Sequence, residues 1–123
     1  MSPYLQSELP EVSSRFNITA HDLGGGETAV LADMFRLPEG WNSSETTILV
    51  RVPHAYPQAQ LDQFCAPAEL RLATGALPTN ASVIHMLGRS WLQFSWHPRT
   101  WRPGIDNLTR YFAFITRRFM ETR

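Results

Sequence analysis

The sequence predicts an α+β domain, an antiparallel β-meander covered by a C-terminal helix, and three observations carry that expectation. Up to about residue 72 the apolar residues alternate or run together with β-branched neighbours, the pattern of half-buried strands. After residue 103 they recur at helical spacing. The links between the predicted strands are rich in Pro, Gly, Asn and Ser, as turns in a meander are. At 123 residues the chain reads as a single domain, residues 1–123.

The elements follow in order. In RFNITAH, residues 15–21, Phe16, Ile18 and Ala20 alternate with Arg15, Asn17 and Thr19, a first strand. Gly24-Gly25-Gly26 turns into TAVLADMFRL, residues 28–37, a second strand apolar on both faces. Trp41 sits in a connecting turn between Pro38-Glu39-Gly40 and Asn42-Ser43-Ser44. TTILVRV, residues 46–52, ends at Pro53 and gives the third strand; AELRL, residues 68–72, gives a short fourth. Residues 73–90 are small and polar and read as a long loop. Ile105, Leu108, Phe112, Ile115 and Phe119 then step by three, four, three and four along one face of a helix starting near Pro103. Asp106 falls in its first turn and Arg117, Arg118 and Arg123 near its last, each of the sign that suits the helix dipole.

Composition narrows the function classes. A content of 43% hydrophobic and 18% charged residues is that of a soluble globular protein. No apolar run of about 18 residues is present, so no membrane partner is expected. The first twelve residues lack a basic region followed by an apolar core, which gives the expectation of a cytoplasmic protein without export signal. On that expectation the Asn-x-Ser/Thr triplets at Asn17, Asn42, Asn80 and Asn107 carry no glycan. One cysteine, Cys65, permits neither an internal disulfide nor a multi-thiolate metal centre. His21, His54, His85 and His97 are too widely spaced for a metal motif, and no cofactor is expected. Zero net charge and the absence of a reading module argue against nucleic acid. The charge is nonetheless unevenly laid out: three Arg against eight acids in residues 1–62, eight Arg against three acids in residues 63–123. A basic C-terminal face with Arg117 and Arg118 exposed, meeting an acidic partner, is one reading; scatter over the surface is the other. All eleven basic residues are Arg, so the chain offers no lysine amine.

The stretch QFSWHPRTWRPGIDNL, residues 93–108, concentrates the chemistry. Large aromatics are costly in a wet loop, so the segment is expected to be irregular and packed. Trp91, Trp96 and Trp101 stand five residues apart and cannot share one face, so at least one is exposed or lines a groove. Locally extended backbone puts Ser95 and His97 on the same side, where an imidazole with an ordinary pKa near 6.5 suits a base for a serine hydroxyl. The other reading makes Ser95 a hydrogen-bonded loop former and packs His97 on Trp96 or Trp101. Cys65 is the rival nucleophile; with no Lys or Arg within five residues to depress its pKa, it reads as a structural thiol.

The order of TTILVRV, Tyr56-Pro57, AELRL, a loop to Ser95, Trp101-Arg102-Pro103 and a closing helix resembles the ubiquitin-conjugating enzyme fold. More specifically, YPQAQLDQF with WLQFSWHPRTWRPGIDNL resembles the bacterial conjugating-enzyme-like family E, over roughly residues 15–120. The resemblance implies a protein that accepts the activated C-terminus of a ubiquitin-like protein from an activating enzyme and passes it on. Those two proteins are the implied partners, in a bacterial pathway that extends to antiphage defence. Conjugating enzymes of this superfamily place a cysteine in the loop before the Trp, after a His-Pro-Asn motif. Here no cysteine lies beyond residue 65, and His85, ten residues before Ser95, is followed by Met86 and Leu87. The resemblance therefore implies Ser95 as acyl acceptor, forming an oxyester, with His97 as base. Tyr56, Trp91, Trp101 and Asp106 would shape the site or meet the partner. The alternative is a conjugating fold without catalysis that binds the ubiquitin-like protein or its activating enzyme.

Overall fold

A computed structural model describes all of residues 1–123. It contains strands β1 (Asn17–Gly24), β2 (Glu27–Arg36), β3 (Glu45–Val52), β4 (Phe64–Pro67), β5 (Ala81–Met86) and β6 (Arg89–Phe94), with helices α1 (Pro3–Arg15) and α2 (Leu108–Met120). The strands form one antiparallel sheet in the order β1-β2-β3-β4-β6-β5. The expected α+β class holds, and α2 covers the sheet. Alternation along the strands sends Val30, Ile48, Val50, Phe64, Leu92 and Phe94 to one face. There they pack with Leu5 and Val12 of α1 and Leu108, Phe112, Ile115 and Phe119 of α2. Phe119 anchors this core: its ring meets Phe64 and Phe94 edge-on at 5.7 and 5.5 Å, and its carbonyl accepts Trp41 Nε1–H at 2.8 Å. A smaller cluster of Ala29, Leu49, Cys65 and Trp91 occupies the opposite face.

Four features depart from the sequence pattern. The first is α1, which the pattern does not announce because Pro10 lies inside it and Glu8 interrupts its buried face of Leu5 and Val12. Ser2 caps it, its hydroxyl accepting Leu5 N–H at 3.3 Å and donating to the Tyr56 carbonyl at 2.6 Å. The second is AELRL, which is a turn instead of a fourth strand; β4 lies just before it. Leu70 is buried as alternation requires, but the segment bonds to Asn42. That side chain donates to the Glu69 carbonyl at 3.1 Å and accepts Arg71 N–H at 3.1 Å, so a loop residue takes the place of a neighbouring strand.

The third is the expected loop 73–90, most of whose second half is strand. Hairpin β5–β6 closes through Leu87-Gly88, both with positive φ (51° and 72°), as a tight two-residue turn demands. Leu-Gly is a poor signal for such a turn, and the small residues before it resemble a loop. The fourth is the start of α2. It begins at Leu108, with Asn107 Oδ1 accepting Arg110 N–H at 3.0 Å, not near Pro103. Pro103 belongs to a preceding turn in which Arg102 N–H donates to Asp106 at 2.7 Å, and Ile105, outside the helix, is exposed. The exposed Arg117–Arg118 pair is also corrected: Arg118 is buried and only Arg117 faces solvent.

Candidate functional site

The end of β6 and the start of α2 are held close by residues far apart in sequence. Tyr56 is buried, and its hydroxyl donates to Glu8 Oε1 while accepting Leu108 N–H at 2.7 Å. Glu8 Oε2 accepts Thr109 N–H at 3.3 Å. Two otherwise unpaired N–H groups of the first turn of α2 are thus satisfied by one carboxylate–phenol pair. Burial, then the Glu8 carboxylate, raises the Tyr56 pKa, so the phenol stays a donor. Trp101 leans on this pair, its ring 6.3 Å from that of Tyr56 and its Nε1–H donating to the Pro57 carbonyl at 2.7 Å. Asp106 holds the turn between Trp101 and α2 through Arg102 N–H and a longer approach of Arg102 Nε at 3.5 Å. Tyr56, Trp101 and Asp106 therefore fix the downstream end of the segment. Pro98, Trp101, Phe114 and Arg117 are among the walls of a cleft of about 310 Å³ beside it.

Ser95 lies one residue past β6. Its N–H donates to the Asn80 carbonyl at 2.9 Å, extending the β5–β6 ladder by one bond. Phe94 before it and Trp96 after it both pack toward the helices, so alternation turns the exposed Ser95 side chain the other way. His97 is exposed two residues on, and no hydrogen bond joins its ring to Ser95. Trp91 is not part of this assembly. It is buried on the face opposite the helices, under Arg89 at 4.4 Å, with Nε1–H donating to the Met86 carbonyl at 2.9 Å.

Cys65 shares that face with Trp91 and pairs in register with Gln93, two residues before Ser95. It is 2% exposed, and burial pushes its thiol up to about 12, so it is protonated and shielded at neutral pH. The sequence pattern misses a different hydroxyl–imidazole contact: Ser90 Oγ lies 3.0 Å from His85 Nδ1 across the β5–β6 hairpin. Only the i and j positions of a recognised hairpin announce such a pair. No group of three or more His, Cys, Asp or Glu side chains converges as metal ligands would, and no helix is long and apolar enough to cross a membrane.

Compared with known proteins, residues 7–122 match the family model described as Prokaryotic E2 family E, and the chain belongs to that family. The family links it to ubiquitin-like conjugation. No curated protein and no solved structure matches.

Proposed function

We propose, on the premise that this chain is a prokaryotic E2 family E protein, that it carries an acyl group on Ser95 during conjugation of a ubiquitin-like protein. The activating enzyme delivers the C-terminal carbonyl of that protein in activated form. Ser95 Oγ attacks the carbonyl carbon, a C–O bond forms, and the bond to the activating enzyme breaks. His97 takes the hydroxyl proton and returns it to the leaving group. The observation that carries the reading is the setting of Ser95: an exposed hydroxyl on a backbone tied to Asn80, between two side chains anchored in the core. His97 is in an exposed loop, and on this reading its ring bonds Ser95 only when substrate arrives.

The test is incubation with the activating enzyme, ATP and the ubiquitin-like protein, followed by intact-mass measurement. The expected adduct resists thiol reductant and is cleaved by hydroxylamine. Ser95→Ala abolishes it, Cys65→Ala keeps it, and His97→Ala slows its formation by roughly 10²–10⁴. Ser95→Cys gives an adduct that reductant removes. Loss of the adduct in Cys65→Ala would move the acceptor to the thiol. The absence of a hydrogen bond between His97 and Ser95 in the resting structure favours a second reading, a fold that docks the ubiquitin-like protein or its activating enzyme without catalysis. Binding without any adduct would establish it.

A further inference from the structure

Arg118 is the one fully buried cation, 1% exposed, and no Asp or Glu side chain pairs with it. Its guanidinium donates to three main-chain oxygens instead: Nη1 to Glu121 at 2.9 Å, and Nη2 to Thr79 at 3.0 Å and Arg123 at 2.9 Å. Its Nε–H has no acceptor. Burying a charge on such terms costs stability that an apolar side chain of similar volume would not. What the guanidinium touches gives the arrangement a purpose.

Its central carbon lies 5.3 Å from the ring centre of Phe94 and 5.0 Å from that of Trp96, the residues on either side of Ser95. Arg123 adds a second cation over Trp96 at 5.6 Å. The Thr79 carbonyl that Arg118 holds is next to Asn80, whose own carbonyl accepts Ser95 N–H. Ser95 is thus tied to Arg118 from the residue before it, the residue after it and the turn that faces it.

We propose that Arg118 is the positioning residue of the Ser95 segment, fixing the backbone on both sides of the hydroxyl so that it meets an acyl carbonyl in one orientation. The proposal rests on the ester-forming reading above. Arg118 touches no reacting atom. A planar guanidinium can lie over two rings and hold three main-chain oxygens together, which neither lysine nor an apolar side chain can do.

The test compares Arg118→Lys, which keeps the charge and loses the planar stack, with Trp96→Leu, which removes the ring. Three quantities are measured: the single-turnover rate of ester formation, its half-saturation concentration for the activated ubiquitin-like protein, and hydrogen exchange at the Ser95 amide. Each variant is expected to lose roughly ten- to a hundredfold in rate with half-saturation unchanged and faster exchange at Ser95. The double variant should be no slower than the worse single one, because both act through one contact. A merely supporting role would lower the melting temperature and leave the rate and the Ser95 exchange of folded protein unchanged; that result overturns the proposal. If Arg118→Lys does not fold, Trp96→Leu decides by the same two readouts. If wild-type protein forms no ester, the conjugation reading fails. Exchange at Ser95 then judges the positioning alone, and unchanged protection in Arg118→Lys rejects it.

Discussion

One hydroxyl, that of Tyr56, stands between a carboxylate and the first amide of α2. Replacing it with hydrogen in Tyr56→Phe leaves Leu108 N–H and Glu8 Oε1 buried with no partner. We expect a loss of about 1–3 kcal/mol in urea unfolding, together with faster exchange at the Leu108 amide. A neutral result would mean that water replaces the phenol. Cys65 gives a pH-dependent prediction. Its folded value of about 12 lies above the ordinary 9.0, so unfolded chains release the proton first. Unfolded chains then hold fewer protons than folded ones, and stability falls as pH rises from about 9 towards about 12. Burial raises Tyr56 and Tyr111 as well, and they add to the fall at the upper end of that window. Cys65→Ala should flatten the onset near pH 9 in thermal melts, and an equal slope in both proteins would contradict the assignment. Some partners at this scale were legible from the sequence: Trp101 packs on Tyr56, and Asp106 holds the turn that leads into α2. Glu8 and Arg118 were not, because what each touches is decided by packing between distant segments.

At the scale of elements, periodicity found burial more reliably than it found pairing. Leu108, Phe112, Ile115 and Phe119 all face the core as their spacing predicts, while Ile105 continues the spacing into a turn where helix geometry no longer applies. The helix start is set by the capping of Asn107, a signal that Pro103 and Ile105 outweigh in the bare sequence. AELRL buries Leu70 without joining the sheet, and hairpin β5–β6 hides behind a Leu-Gly turn. That turn yields a prediction. Leu87 holds φ 51° and is 44% exposed, so its side chain gains only part of what burial offers there. Leu87→Asn creates the Asn-Gly pair that such turns prefer and should stabilise the domain by roughly 0.5–1 kcal/mol. A higher melting temperature with unchanged β5–β6 pairing is the expected outcome; a lower one would mean that Leu87 packs usefully in solution.

For the whole molecule, the basic half of the chain is a surface only in part. Arg118 belongs to the interior, whereas Arg110 and Arg117 border the cleft beside Trp101. If that face steers the activating enzyme, Arg110→Glu with Arg117→Glu should slow association more than it speeds dissociation. Wild-type association should also weaken with salt, since exposed charges are screened within about 10 Å at 0.1 M. Association indifferent to salt would return the charge division to scatter. The bond from Glu8 to Thr109 joins positions 101 apart, and this has a bearing on biosynthesis. A ribosome releases Glu8 long before Thr109, so the bond between them forms only after the whole sheet that lies between them in sequence has been made. The β1–β3 hairpins, whose pairs are local, can close in the meantime. Arg118 emerges later still, and on the proposed chemistry the serine stays unplaced until then. Ribosome-bound chains ending at residue 107, with a flexible linker long enough to bring Ser95 clear of the exit tunnel, should therefore accept no acyl group, whereas released chains with α2 should. The order of translation would itself keep a half-made carrier from being charged.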